Sequence, residues 1–130
     1  MNQVYIWNRL WYSIGALFVA LVVYFSLMPS PPQLDVSAGD KIQHLAGYSL
    51  LGYWFSMLFL QYLRGQLIGM ILLMLLGVCL EFVQGMTGYR SYDTADMQAN
   101  GVGVLLGTVL ARTRLGGMLV WIEQHGASRR

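Results

Sequence analysis

Apolar positions fill this chain in long runs, and a few charged positions punctuate them. Between Arg9 and Asp35 lie 25 residues without a formal charge, and between Lys41 and Arg64 lie 22, interrupted only by His44. Between Arg64 and Glu81 lie 16, and between Asp96 and Arg112 lie 15. A bilayer core of about 30 Å takes roughly 20 helical residues, because a helix satisfies its own backbone where water is absent. The pattern predicts an all-α fold, an integral membrane four-helix bundle in one domain. Its spans fall at about 12–28, 45–63, 66–84 and 97–111, and 112–130 forms a surface helix or frayed tail. The third span reaches crossing length only if Glu81 lies inside it. The fourth does so only by extending outward past Asp96. Both conditions set carboxylates at, or just below, a membrane surface.

Composition agrees with the pattern. Charged residues make up 11% of the 130 positions, against about 25% in an ordinary soluble domain. Such a chain cannot clothe a water-soluble globule, and its aliphatic and aromatic content excludes disorder. The distribution of Lys and Arg sets orientation. Arg9, Arg64, Arg112, Arg114, Arg129 and Arg130 share one side, while the other carries only Lys41 and Arg90. Both termini are therefore expected in the cytoplasm, in a multi-pass membrane protein, with segments 29–44 and 85–96 outside. The reading rests on a tight hairpin at Arg64–Gly65. Trp7, Trp11 and Tyr12 read as interfacial anchors of the first span. No small-x-small cleavage site precedes Pro29, so the first span reads as an uncleaved anchor.

Several features carry little function. The net charge of +2 is uninformative, and Cys79 reads as a buried, inert thiol in the third span. Pro29, Pro31 and Pro32 break the first helix into a stiff connector. Nothing in the chain suggests a nucleic-acid partner.

The side chains most costly in lipid gather at one end. Asp40, Lys41, His44, Tyr48, Glu81, Gln84, Arg90, Asp93, Asp96 and Asn100 all map to the outer ends of spans two to four or to the outer loop. Asp40, His44 and Tyr48 recur every four residues and share a helical stripe. Glu81 and Gln84 are three apart, and Asp93, Asp96 and Asn100 follow at spacings of three and four. Stripes that face one another avoid lipid. Ala99, Gly103, Gly107 and Ala111 form a ridge of small residues beside Asp96 and Asn100, the kind that lets membrane helices pack closely. Plainer roles exist for some of these residues. Asp40 can cap helix two, Asp93 or Asp96 can cap helix four, Arg90 can pair with either aspartate, and Tyr48 can be an interfacial aromatic.

Two stretches resemble the signature segments of the VanZ-like family of small bacterial membrane proteins. One is Asp40-Lys41-Ile42-Gln43-His44, followed by Tyr48, Leu51 and Gly52 and preceded by the break at Ser26-Leu27-Met28-Pro29. The other is Glu81-Phe82-Val83-Gln84, then Arg90, Asp93, Asp96, Asn100, Gly103 and Gly107. The resemblance covers about residues 26–110 with no position missing, in a minimal form without a fused domain. It implies an envelope setting and a shared outer site. The family is named for a protein that lowers sensitivity to the glycopeptide teicoplanin, and the resemblance supplies no reaction.

Three readings follow. The preferred one is a non-enzymatic binder whose outward-facing polar pocket holds a polyprenyl-linked or peptidoglycan-related ligand. Lys41, Arg90 and His44 would meet phosphate or carboxylate, and Glu81, Asp96, Gln84 and Asn100 amines, amides or hydroxyls. The second is an intramembrane enzyme using Glu81, Asp96 and His44 as acid and base on a lipid headgroup. The same residue types suit a divalent cation such as Mg2+, Mn2+ or Zn2+, but no spacing such as HExxH assigns a metal. The third is a structural polar network locking the helices, with a homo-oligomer as one form of it. No nucleophile stands beside an evident base, which disfavours the enzyme.

Overall fold

A computed structural model describes residues 8–127 of the chain. The described residues are all-helical, with no strand among them: α1 (Asn8–Leu27), α2 (Gly39–Leu58), α3 (Leu63–Met86), α4 (Thr94–Ala111), a 3₁₀ turn (Arg114–Gly117) and α5 (Met118–Ala127). α1 stops at Leu27 because Pro29 disfavours helical backbone at Met28. The proline connector then runs back toward α2, where the Gln43 amide donates to the Pro32 carbonyl at 2.6 Å. α2 begins behind Ala38, whose φ of 58° turns the chain sharply. The next position is Gly39, where any Cβ would strike the Leu34 carbonyl.

α2 and α4 touch backbone to backbone. A Cβ on Gly103 would lie 2.6 Å from the Leu45 carbonyl oxygen, and one on Gly52 2.5 Å from that of Val104. Gly107 abuts Ser49 and Tyr53 of α2 in the same way. α3 and α1 pack around this pair, with Tyr48, Leu51, Leu73 and Val104 at the centre of one core cluster. The helices end in two groups. At one end Tyr89 donates to the Leu27 carbonyl and Lys41 meets Asp93. At the other, Trp54 donates to the Trp11 carbonyl and Arg112 to Gln66.

α1 and α3 are each long and apolar enough to cross a membrane. α4, the 3₁₀ turn and α5 make a third candidate if taken as one span bent by 71°. Belts of exposed large apolar side chains follow these helices, among them Leu17, Leu21, Phe25, Ile68, Ile71, Leu72, Leu75 and Val109. Surface of this kind is stable against acyl chains and not against water. The chain is therefore a membrane protein.

Local boundaries differ from the sequence reading. α2 occupies 39–58 and not 45–63, because its polar first turn is stabilised by α4 across the molecule. The hairpin lies at Phe59–Tyr62, where the Tyr62 amide donates to the Phe59 carbonyl at 2.8 Å. Arg64 and Gly65 sit inside α3, with Gly65 packed under the Phe59 ring. Trp11 is no interfacial anchor. It is 5% exposed, packs on Trp54, and donates from its indole to Glu123 at 2.7 Å. Tyr12 is exposed, and Trp7 lies outside the described residues. Cys79 is exposed on α3 rather than buried. Over 118–126 the tail is the helix α5, exposed at Met118 and Trp121 and packed on its inner side, where Leu119 is fully buried and Glu123 nearly so.

Candidate functional site

Three helix ends deliver the polar stripes to one place. Lys41, on the first turn of α2, donates to Asp93 Oδ2 at 2.8 Å and Asp96 Oδ1 at 3.1 Å, and lies 3.5 Å from Asp40 Oδ2. One turn along α2, His44 Nδ1–H donates to Asn100 Oδ1 at 2.9 Å. Its Nε2 stands 3.7 Å from Asp96 Oδ2. Glu81, from α3, accepts the Asp93 backbone N–H through Oε1 at 2.7 Å. Asp93 Oδ1 in turn accepts the Ala95 amide at 2.8 Å and so caps α4. One aspartate thereby joins a helix cap, an ion pair and a buried carboxylate.

Burial sharpens the arrangement. Glu81, Asp96 and Asn100 are 1%, 5% and 2% exposed. His44, Glu81 and Asp96 each place one potential ligand atom within 4.8 Å of the other two. Glu81 Oε2 and the Tyr48 hydroxyl are buried without a hydrogen-bond partner among the described residues. Leaving such a group unpaired costs about 1–3 kcal/mol, a cost that the fold carries at both positions. Gly77 makes room here, since a Cβ would come within 3.0 Å of Asn100 and 3.3 Å of the Tyr48 ring.

At the rim the electrostatics are mutual. Hydrogen bonds to Asp93 and then Asp96 hold the Lys41 ammonium well above its ordinary pKa. Lys41, and then the Ala95 amide, hold the Asp93 carboxyl below its own. Opposite charges in hydrogen-bond contact favour the ionised form of each partner.

Beside this network a cavity of about 430 Å³ opens between α1 and α2. Phe18, Leu21, Val22 and Phe25 of α1 and Gly47 and Leu50 of α2 form its apolar wall. His44, Asp40, Gln43 and Arg90 border it as well, so the groove has a greasy length and a polar end.

Of the residues singled out in the sequence, Lys41, His44, Glu81, Asp93, Asp96 and Asn100 form one connected network. Tyr48 adjoins it. Asp40 and Arg90 stand at the groove. Gln84 turns elsewhere and donates to the Ser26 carbonyl at 2.7 Å, tying α3 to the end of α1. Arg90 pairs with neither aspartate, because Lys41 occupies both. Of the small ridge, Gly103, Gly107 and Ala111 are buried and Ala99 partly so.

Two features lie outside the sequence reading. The α1 wall of the groove reads only as apolar span. A second polar set lies at the opposite end, where Ser56 donates to Thr108 at 3.0 Å, Gln66 to the Ser56 carbonyl at 3.0 Å, and Arg112 to Gln66. Gln66 and Ser56 could have been found as polar residues inside apolar runs. This second set is bonded throughout, whereas the unpaired buried atoms among the described residues, Tyr48 Oη, Ser49 Oγ and Glu81 Oε2, lie elsewhere. Compared with family models, curated proteins and solved structures, the chain finds no match in any of the three.

Proposed function

We propose that the chain is a VanZ-like protein of the bacterial inner membrane that binds a lipid-linked envelope ligand, its hydrocarbon chain in the α1–α2 groove and its phosphate end beside Asp40, His44 and Arg90. In this reading α1 to α4 all cross the bilayer as a four-helix bundle, both termini are cytoplasmic, and the polar network faces outward. The observation that carries it is the groove: about 430 Å³, apolar along its length and ended by an imidazole and a guanidinium. Small-molecule sites run at about 300–1,000 Å³, mostly apolar with a few placed polar groups. The family resemblance adds the envelope setting and makes teicoplanin susceptibility a phenotype worth measuring.

Native mass spectrometry of protein extracted with its lipids tests the proposal. The expected result is a co-purified polyprenyl phosphate or related precursor. Gly47→Trp fills the groove, since a Cβ there meets nothing nearer than Val22 at 3.8 Å. That variant should fold and retain roughly tenfold less lipid, a loss of about 1.4 kcal/mol in affinity. Bare wild-type protein, or equal retention by Gly47→Trp, overturns the reading.

A second reading, acid–base chemistry on the bound headgroup, draws on the convergence of His44, Glu81 and Asp96 within 4.8 Å. Turnover of a bound lipid that Glu81→Gln abolishes would replace the binder with the enzyme.

A further inference from the structure

We propose that His44 Nε2, Glu81 Oε2 and Asp96 Oδ2 bind one divalent transition-metal ion, Zn2+ or Mn2+, among the outer ends of α2, α3 and α4. The site stands on the geometry of these three side chains and does not depend on what occupies the groove. Each comes from a different helix, and each offers one donor atom within 4.8 Å of the others.

The other atom of each side chain is already engaged. His44 Nδ1 is held by Asn100 at 2.9 Å, Glu81 Oε1 by the Asp93 amide at 2.7 Å, and Asp96 Oδ1 by Lys41 at 3.1 Å. Each side chain is thus fixed through one atom, and the second atom of each is the donor we assign. Metal-binding histidines and carboxylates are held in this way, through hydrogen bonds from groups that do not touch the ion. Glu81 Oε2 supplies an independent sign: on a residue 1% exposed, it has no hydrogen-bond partner among the described residues. Buried oxygens of this kind find a partner in nearly every fold, and a cation is the partner a carboxylate oxygen takes most strongly.

Charge and donor type narrow the ion. Asp40, Asp93 and Asp96 surround Lys41 and Glu81 lies near Asp96, an excess of negative charge that a dication offsets. One imidazole with two carboxylates suits Zn2+ or Mn2+ better than ions that demand an all-oxygen shell. Bonds of about 2.0–2.1 Å set tetrahedral donors roughly 3.3 Å apart. The present His44 Nε2 to Asp96 Oδ2 separation is 3.7 Å and the three donors lie within 4.8 Å of one another, so closing on an ion takes side-chain movements of up to about 1.5 Å. His44 and Tyr48 also line the groove, so coordination positions left open would face its polar end, where a phosphate oxygen or water can enter.

The test uses the whole chain in neutral detergent, stripped with a chelator and exposed to Zn2+ alone or Mn2+ alone. After desalting, elemental analysis should find about one ion per chain, and the ion should raise the melting temperature. Glu81→Gln, Asp96→Asn and His44→Ala should each reduce retention to background and abolish the thermal shift, while His125→Ala retains both. Asn100→Ala, which leaves all three donors in place, should weaken affinity about 10–100-fold. Wild-type protein that keeps no stoichiometric ion overturns the proposal, even if a donor variant fails to fold. Retention unchanged in His44→Ala and Glu81→Gln overturns it as well. Lipid retention measured in chelator separates this outcome from that of the groove.

Discussion

At the scale of single residues, Glu81 carries the sharpest contradiction between stability and position. It sits in the long apolar helix α3, one carboxylate oxygen bonded to the Asp93 amide and the other to nothing among the described residues. Glu81→Gln keeps an acceptor for that amide and removes the charge. The variant should melt at the same temperature as the apo wild type or slightly higher, a change within about 1–2 kcal/mol. A large loss of folded protein would instead mark Glu81 as a structural lock. Asp93 gives a prediction in pH. Its carboxyl is held below the ordinary value of 3.8 by Lys41, so its contribution is complete above that value and is lost as pH falls through the depressed one. Lys41, raised above 10.5, contributes fully below 10.5 and loses its share only as pH rises further. The pair therefore matters throughout the neutral range and fails first in acid. Asp93→Asn preserves the cap and removes the charge, so its melting temperature should fall less than that of the wild type between about pH 5 and pH 2. Parallel acid limbs for the two proteins would show that the pair adds no linked stability.

At the scale of helices, glycines decide which elements meet. α2 and α4 approach until Gly107 lies against the Ser49 and Tyr53 backbone and Gly103 against the Leu45 carbonyl. Backbone cannot give way as a flexible side chain can, so Gly107→Ala should cost about 1–3 kcal/mol or more by overpacking. Gly101, on the same helix, has nothing within 4 Å of an added Cβ. Gly101→Ala should be neutral or stabilising by up to about 1 kcal/mol. Denaturant unfolding in detergent compares the two. Equal effects would mean that the close α2–α4 contact is not what positions Asp96 and Asn100 opposite His44. The stripes on each helix were legible in the sequence because spacings of three and four residues bring side chains to one face whatever the surroundings. Their partners were not. Lys41 reaches Asp93 across 52 residues and Trp11 reaches Glu123 across 112, and nothing local in the chain ranks Lys41 above Arg90 as the partner of the aspartates.

At the scale of the molecule, the two ends differ in kind. The end bearing Arg64 and Arg112 has Ser56, Gln66 and Thr108 bonded to one another or to backbone. The other end holds Lys41 and its carboxylates beside an open groove. With the proposed orientation, a reporter fused after Arg130 should read cytoplasmic, and one inserted within 85–92 should read external. A reversed pair of signals would move the polar network to the cytoplasmic face and exclude an externally presented ligand.

Helices, their approximate positions and the crowding of costly side chains near one end follow from the sequence by itself, because hydropathy and helical period act locally. Only the tertiary structure decided that His44, Glu81 and Asp96 converge, that α1 closes a groove beside them, and that Trp11 and Glu123 are interior. Those outcomes depend on how closely α2 and α4 can approach and on which charges then lie within reach. Such distances are properties of the packed chain and of no segment in it.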